Sequence, residues 1–498
     1  MRKATAMFLV LLLGLLVFLP RLEAAGGHLK IALTANLNTL DPAKAKSGDE
    51  YLYMFMVFNA LTRIAPDMSV QPDLAERWEA SADLKTWTFH LRKGVRFHHG
   101  RELEAEDVKA TIERIQDKAT GSTARVNFLM VEKVETPDRY TVKFTLALPY
   151  ASFPEILGER QARIVPRDRI AELPTQPVGT GPFRFKSFKP GDRVELTKNP
   201  DYFEAGLPKL DAVTLLVIPE SATRIAALET GEVHAVWKLP LEAIDRLKKH
   251  PQVVVDEVPT SSWDGIIMHN RMPPFDNPKV RKAVFLAIDK AQAAEIALFG
   301  HGSPTLTPIP PRHPFFNESI SLKADLAQAK KLLAEAGHPN GFETTLIVPE
   351  GRPERERLGL AVRDMLKAVG VKVNIQRVPW DKFLADVEGK AAFSINGFFS
   401  RPTVDTSLYP WYHSSGSWNT GLWHYKNERV DRLLDTARQT ASLEERRKLY
   451  RELQQVVAED PPSVVPYVVN QVDGFRKEVK GLRSNPMLWF DVRQVTLQ

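Results

Sequence analysis

Histidines, carboxylates and glycines are the residues here that would do chemistry, and their spacing argues against catalysis. The twelve histidines never take the H-E-x-x-H or H-x-x-x-H type of spacing that brings two imidazoles onto one metal ion. His98 and His99 are adjacent, so in a strand they would face opposite sides. Between Phe97 and Gly100 they read as decoration of a surface turn. His413 and His424 are two scattered histidines in an aromatic-rich segment. Glycines pair in "PVGTGPF" (177–183), but no G-x-G-x-x-G leads from a strand into a helix, and the G-x-S-x-G elbow of serine hydrolases is missing. With no cysteine in the chain, disulfides, thiol nucleophiles and thiolate metal sites are excluded. Carboxylates are abundant, so an exported hydrolase with an acid pair stays as the rival class; turnover of peptides or esters above background would mark it.

The elements that must position any site are spread over 498 residues, too many for one hydrophobic core. Residues 1–25 stand apart. Arg2 and Lys3 precede an apolar run, Ala6 to Leu19, and small residues follow at Ala24–Gly26. That order is expected of a secretory signal peptide, and the run is too short for a comfortable membrane span. With 43% hydrophobic and 26% charged residues over the whole chain, the part after residue 25 is expected to be soluble and globular. The net charge of +6 is scattered among acids without a basic tract, so no nucleic-acid partner is expected.

Along the chain, Leu29, Ile31 and Leu33 alternate as in a strand. Around 63–178 strand patterns ("TWTFHLR", "KVETPDRYTVKFTL") flank a helix from Ala105 to Gln116, an α+β unit. From about Asp276 onward helices and strands alternate, which predicts a mostly parallel sheet. Asn277–Pro278 and Ser442 with Glu445 look like helix starts.

One segment is specific. "TFHLRKGVRFHHGRELEAEDV" (88–108) resembles the signature of the family-5 extracellular solute-binding proteins of peptide/nickel-type ABC importers, whose members take oligopeptides, dipeptides, glutathione or opines. Thr88, Phe89, Leu91, Arg92, Gly94, Val95, Phe97, His98, Gly100, Leu103, Ala105, Asp107 and Val108 keep the pattern; His99 departs, where Asp is usual. "NTLDP" (38–42), "LAERWEAS" (74–81), "PVGTGPFRF" (177–185), "NPDYF" (199–203), "PPFDNPKVRKAVFLAIDK" (273–290), "DLAQAKKLLAEAG" (325–337) and "DPPSVVPY" (460–467) match in order. The resemblance therefore spans nearly the whole chain after residue 25. It implies an α/β, two-lobed periplasmic-binding-protein fold of type II with an extra α+β domain inserted in lobe I. Mapped onto this sequence, lobe I takes 28–62, 179–263 and 470–498, the extra domain 63–178, and lobe II 264–469. The crossings would fall near Trp263–Asn270 and Pro466–Gln471. The signature segment would be structural, with Trp87, Phe89, Leu91 and Phe97 in the core and glycines at φ > 0.

The same resemblance implies a periplasmic, monomeric, non-enzymatic subunit without cofactor or resident metal. It would close on a small-molecule or peptide-like ligand and pass it to ABC permease membrane subunits. A metal-chelate or haem carrier is the alternative within the family. For ligand contacts it points to the segment "GFFSRPTVDTSLYPWYHSSGSWNTGLWHY" (397–425), where the usual acid pattern is not kept. Arg401, a planar fork suited to a carboxylate, would bind the ligand, while Asp405 meets an amine or orders the loop; alternatively the two pair with each other. Arg352 in "VPEGRPERER" is a second carboxylate contact or a solvated charge. Asn36 and Asn38 line the cleft or form Asx turns. Trp263, Phe398, Trp411 and Trp418 are cleft walls or core, and His269–Asn270 lie at the first crossing.

Overall fold

Two long strands organise the molecule. Val253–Met268 and Val464–Arg476 run antiparallel. They lie in the middle of an eleven-stranded sheet of the computed structural model, which describes residues 26–498. The leader-like residues 1–25 lie outside the described residues. On one side of the pair the sheet continues through Phe393–Phe398, Glu343–Pro349 and Lys372–Val378. On the other it continues through Ala235–Val236, His28–Leu33, Ala212–Val217, Arg193–Lys198 and Phe183–Lys189. Each half wraps its own core. Ile266, Phe285, Val362 and Trp411 belong to lobe II; Leu29, Met54, Val213 and Phe490 belong to lobe I.

Among the described residues the two halves of the sheet meet through this pair. Val253–Val258 pairs with Gln471–Arg476, and Trp263–Ile266 pairs with Val464–Val468. Between Pro259 and Trp263 the register slips, and such a bulge bends and twists a strand locally. The register break at 259–263 lies just before the crossing expected near Trp263–Asn270, within the single strand Val253–Met268. The sheet is also mixed where helix–strand alternation suggested mostly parallel pairing. Glu343–Pro349 and His28–Leu33 are each parallel to both neighbours, but a chain that crosses out and returns must lay its two crossings antiparallel.

The extra domain has a third core. Its four-stranded sheet runs in the order Ala75–Ala80, Thr86–Leu91, Thr141–Leu146, Val131–Asp138. The helix Ala105–Gln116 buries Val108, Ile112 and Ile115. Trp87, Phe89, Leu91 and Phe97 are all buried. The turns after them need Gly94 (φ 76°) and Gly100 (φ 96°), in the left-handed region. His98 is not decoration. Its N–H donates to the Gly179 carbonyl (2.8 Å) and its Nε2 lies 3.0 Å from the Gly181 carbonyl. Burial pushes the ring down to about 4, so a neutral imidazole fastens the extra domain to lobe I.

Candidate ligand-binding cleft

A cavity of about 600 Å³ lies between the lobes, within the range of small-molecule sites. Its floor is the crossing itself: Thr260, Ser262, Val469, Asn470 and Gln471 line it. Thr260 Oγ1 donates to the Val469 carbonyl (2.7 Å) and accepts from the Ser262 N–H (2.9 Å), so the slipped register is held by a side chain rather than by ladder bonds.

The lobe II wall begins at the helix Pro353–Lys367. Pro353 occupies its first turn, where a missing N–H costs nothing. Arg352 stands just before it, its guanidinium 4.6 Å from the centroid of the Trp380 ring, a cation–π contact that fixes the plane of the fork. One turn on, Arg355 Nε donates to Asp264 Oδ1 (2.8 Å). Burial raises the Asp264 carboxyl and Arg355 pulls it back. Gly397 on the adjacent strand makes this pair possible, since a Cβ there would collide with Asp264 Oδ1 and Arg355 Nη2. Among the described residues no carboxylate pairs with Arg352. Burial and the neighbouring Arg355 both push its guanidinium down from its usual value, so an incoming anion would relieve a real electrostatic debt.

Aromatic rings complete this wall. Trp263 lines the cavity but is 2% exposed, packed against Phe398, Trp411 and Trp423 with centroids 5.0, 6.0 and 6.1 Å away. Phe398 also lines it, and Phe399 lies on it with 51% of its surface exposed. Large apolar rings left open in a cleft offer an apolar ligand face something to stack on.

Of the residues singled out from sequence, Arg352, Trp263 and Phe398 reach the cavity. The others lie elsewhere. Asp405 is buried and committed: Arg438 Nε and Nη2 donate to its two oxygens (2.8 and 3.0 Å), and the Tyr150 hydroxyl of the extra domain donates at 2.7 Å. It neither faces the cavity nor pairs with Arg401, and a carboxylate at 2% exposure that already accepts three hydrogen bonds, two of them from a guanidinium, is closed to a ligand amine. Arg401 is half-buried, its N–H donating to Ser261 Oγ (3.1 Å) and its guanidinium 5.8 Å from the Trp411 ring. Among the described residues it has no salt bridge, and burial lowers its pKa. Glu159, Arg160 and Tyr51 are its electrostatic neighbours. Trp411 is core, stacked on half-buried Trp418 with centroids 6.2 Å apart. Asn36 Oδ1 accepts from the Gly191 N–H (2.8 Å), a contact between distant loops, and the Asn38 backbone N–H donates to Glu50 Oε1 (3.0 Å); neither residue lines the cavity. The His269 and His424 rings lie with centroids 4.2 Å apart and planes tilted by 32°. Among the described residues no cluster of three metal-ligating side chains occurs.

Sequence reasoning missed Lys238, Glu354 and Trp380, all of which line the cavity. Glu354 and Trp380 flank features that were legible, the Arg352–Pro353 helix start and the strand ending at Val378. Lys238 gave no signal: it follows the buried "AVW" (235–237) as one cation among 67 basic residues. A smaller cavity of about 240 Å³ opens beside Phe55, Arg163 and Trp489. There Arg63 and Arg493 already share Glu204, and Arg493 also pairs with Asp491.

Comparison with known proteins agrees with this architecture. The model of bacterial extracellular solute-binding proteins, family 5 (middle), matches residues 69–419. The glutathione-binding protein GsiB of Escherichia coli K12 is 29% identical over 481 residues, 94% of each chain. The periplasmic binding protein AgaA of A. tumefaciens R10, solved with agropinic acid, superposes with a TM-score of 0.81 at 28% identity, covering 95% of this chain and 99% of that one. The binding protein DppA of Helicobacter pylori, solved with the peptide STSA, gives 0.79 at 28% identity, covering 95% and 98%. With two lobes on a two-strand pivot and a cleft at the crossing, the chain belongs to family 5 of the bacterial extracellular solute-binding proteins, which serve ABC importers as ligand carriers and not as enzymes.

Proposed function

We propose that this carrier, exported behind a leader cleaved from residues 1–25, captures a small peptide-like solute bearing a carboxylate, with Arg352 as its lobe II anchor. The lobes turn about 259–263 and 468–470, and a ligand touching both walls favours the closed form by its extra contacts there. One observation carries the reading: Arg352 presents a guanidinium without a carboxylate partner among the described residues, braced on Trp380, in the inter-lobe cavity. A charge-assisted bond to such a group contributes about 1.5–3 kcal/mol. Glutathione, agropinic acid and the peptide STSA, named with the relatives, all carry carboxylates. Arg401 is kept as a second candidate contact, because its guanidinium lacks a salt bridge among the described residues.

The test is native mass spectrometry of the protein purified from an exporting host, followed by calorimetry with the solute recovered. The expected solute carries a carboxylate, and its affinity falls about ten- to hundredfold in Arg352→Ala. A solute lacking any carboxylate, or an unchanged affinity in that variant, overturns the reading.

A further inference from the structure

The charges lining the cavity do not balance. Five cations, Arg224, Lys238, Arg352, Arg355 and Arg357, face three carboxylates, Glu242, Asp264 and Glu354. Most of these are already engaged. Arg355 holds Asp264, and Arg357 Nη1 lies 3.4 Å from Glu242 Oε1. Arg224 is buried and donates to the carbonyls of Ile218 (2.7 Å) and Pro219 (3.0 Å). Arg224 is thus spent on backbone carbonyls, and what remains neither ion-paired nor so engaged among the described residues is Lys238 on lobe I, Arg352 on lobe II, and Glu354.

Lys238 is also the residue whose backbone is unusual. Its φ is +57°, a left-handed conformation that non-glycine side chains seldom adopt. The returning crossing strand imposes it. Asp473 Oδ1 accepts the Lys238 N–H (2.8 Å), and the next N–H, of Leu239, donates to the Val472 carbonyl (2.8 Å). Asp473 is itself fixed by Gln471 Nε2 (2.6 Å) and Ser484 Oγ (2.6 Å). Three hydrogen-bond donors thus converge on one buried carboxylate whose effect is to hold an exposed lysine at the cleft. Sparsely populated backbone of this kind gathers at ligand clamps, where surrounding contacts over-determine it.

We propose that Lys238 is a specificity-determining ligand contact, and that the solute this cleft prefers carries two anionic groups, one taken by Lys238 and the other by Arg352 on the opposite lobe. This deepens the function proposed above and rests on it. A dianion that salt-bridges across the cleft binds the closed form better than a monoanion does, because its second contact exists only when the lobes approach. The two cations divide the recognition. Arg352, a planar fork held against Trp380, selects carboxylate geometry, whereas Lys238, a flexible point charge, selects charge with little regard for shape. Glu354 is the acceptor for an ammonium on the same solute, so the ligand class is a dicarboxylate built on an amino acid.

Calorimetry on matched pairs tests this: γ-glutamyl dipeptides and N-carboxyalkyl amino acids, each against its monoamide. The mature wild-type chain, Lys238→Gln, Lys238→Arg and Arg352→Ala are compared. In the wild type the dicarboxylate of at least one pair binds about tenfold or more tighter than its monoamide. That ratio collapses toward one in Lys238→Gln and is retained in Lys238→Arg, while Arg352→Ala weakens both members. A wild-type ratio near one, or a ratio that survives in Lys238→Gln, overturns the role of Lys238 and leaves the carboxylate reading standing if Arg352→Ala still weakens binding. If no member of either series binds the wild type, both readings fall.

Discussion

Two segments of lobe II carry the charges that sequence reasoning offered as ligand contacts, and they fare differently. Around 352–357 the helix start brings three arginines to the cleft, and one of them, Arg352, has no carboxylate partner among the described residues. Around 400–405 the acid that resembles a ligand contact is locked by Arg438 and Tyr150. Both segments follow a strand of the same sheet, and both are rich in polar and charged residues. The difference is set by what the rest of the chain delivers. Arg438 comes from the helix Glu428–Arg438 and Tyr150 from the extra domain, while nothing comparable comes to Arg352. An ionisable residue is available to a ligand only when the fold has left it unneutralised.

The sharpest way to break this comparison is Asp405→Ala. Removing one partner strands a largely buried Arg438, a loss of about 3–5 kcal/mol, seen as a lower unfolding midpoint in urea. A variant as stable as the wild type would show that Asp405 is not structural. Next is the contrast between a carboxylate facing a cation and one facing neutral donors. Asp473 receives hydrogen bonds from Lys238, Gln471 and Ser484 but no salt bridge among the described residues, and burial raises it to about 7. Its folded value lies above its unfolded one, so its favourable contribution is full below about pH 4 and is lost as pH rises toward and through about 7. The expected span is up to about 4 kcal/mol. Relative to Asp473→Asn, wild-type melting temperatures should fall between pH 4 and 7; parallel curves would refute this. Then comes Arg352→Ala, about 1.5–3 kcal/mol in ligand affinity with the melting temperature of the empty protein nearly unchanged. The smallest effect is expected for Arg401→Ala, about threefold in affinity at most, or about 0.6 kcal/mol, since Arg401 lies outside the cavity wall. A loss exceeding that of Arg352→Ala would move the anion site to the 400–405 segment.

Much of the fold was legible because local rules and global packing agree. Phe89 and Leu91 alternate into a core, Asn277 Oδ1 caps its helix by accepting from the Lys279 N–H, and Ser442 Oγ does the same for the Glu445 N–H. The site was legible only where a helix start or an aromatic run marked it, as at Arg352 and Phe398. Lys238 was not, because its conformation comes from Asp473, 235 positions later in the chain, and local pattern carries no trace of so distant a cause. The same holds for Asp405, whose fate was decided by Tyr150 and Arg438.

In the closure proposed above, the slipped register at Pro259–Trp263 would be fulcrum and seat at once. A guest resting on Thr260 and Asn470 presses on the part that must turn. One a few ångströms too long would wedge the jaws apart, however good its grip on either wall, because the leverage runs through the place where it sits. Length would then be gauged mechanically, by whether the bite can finish, with no separate ruler.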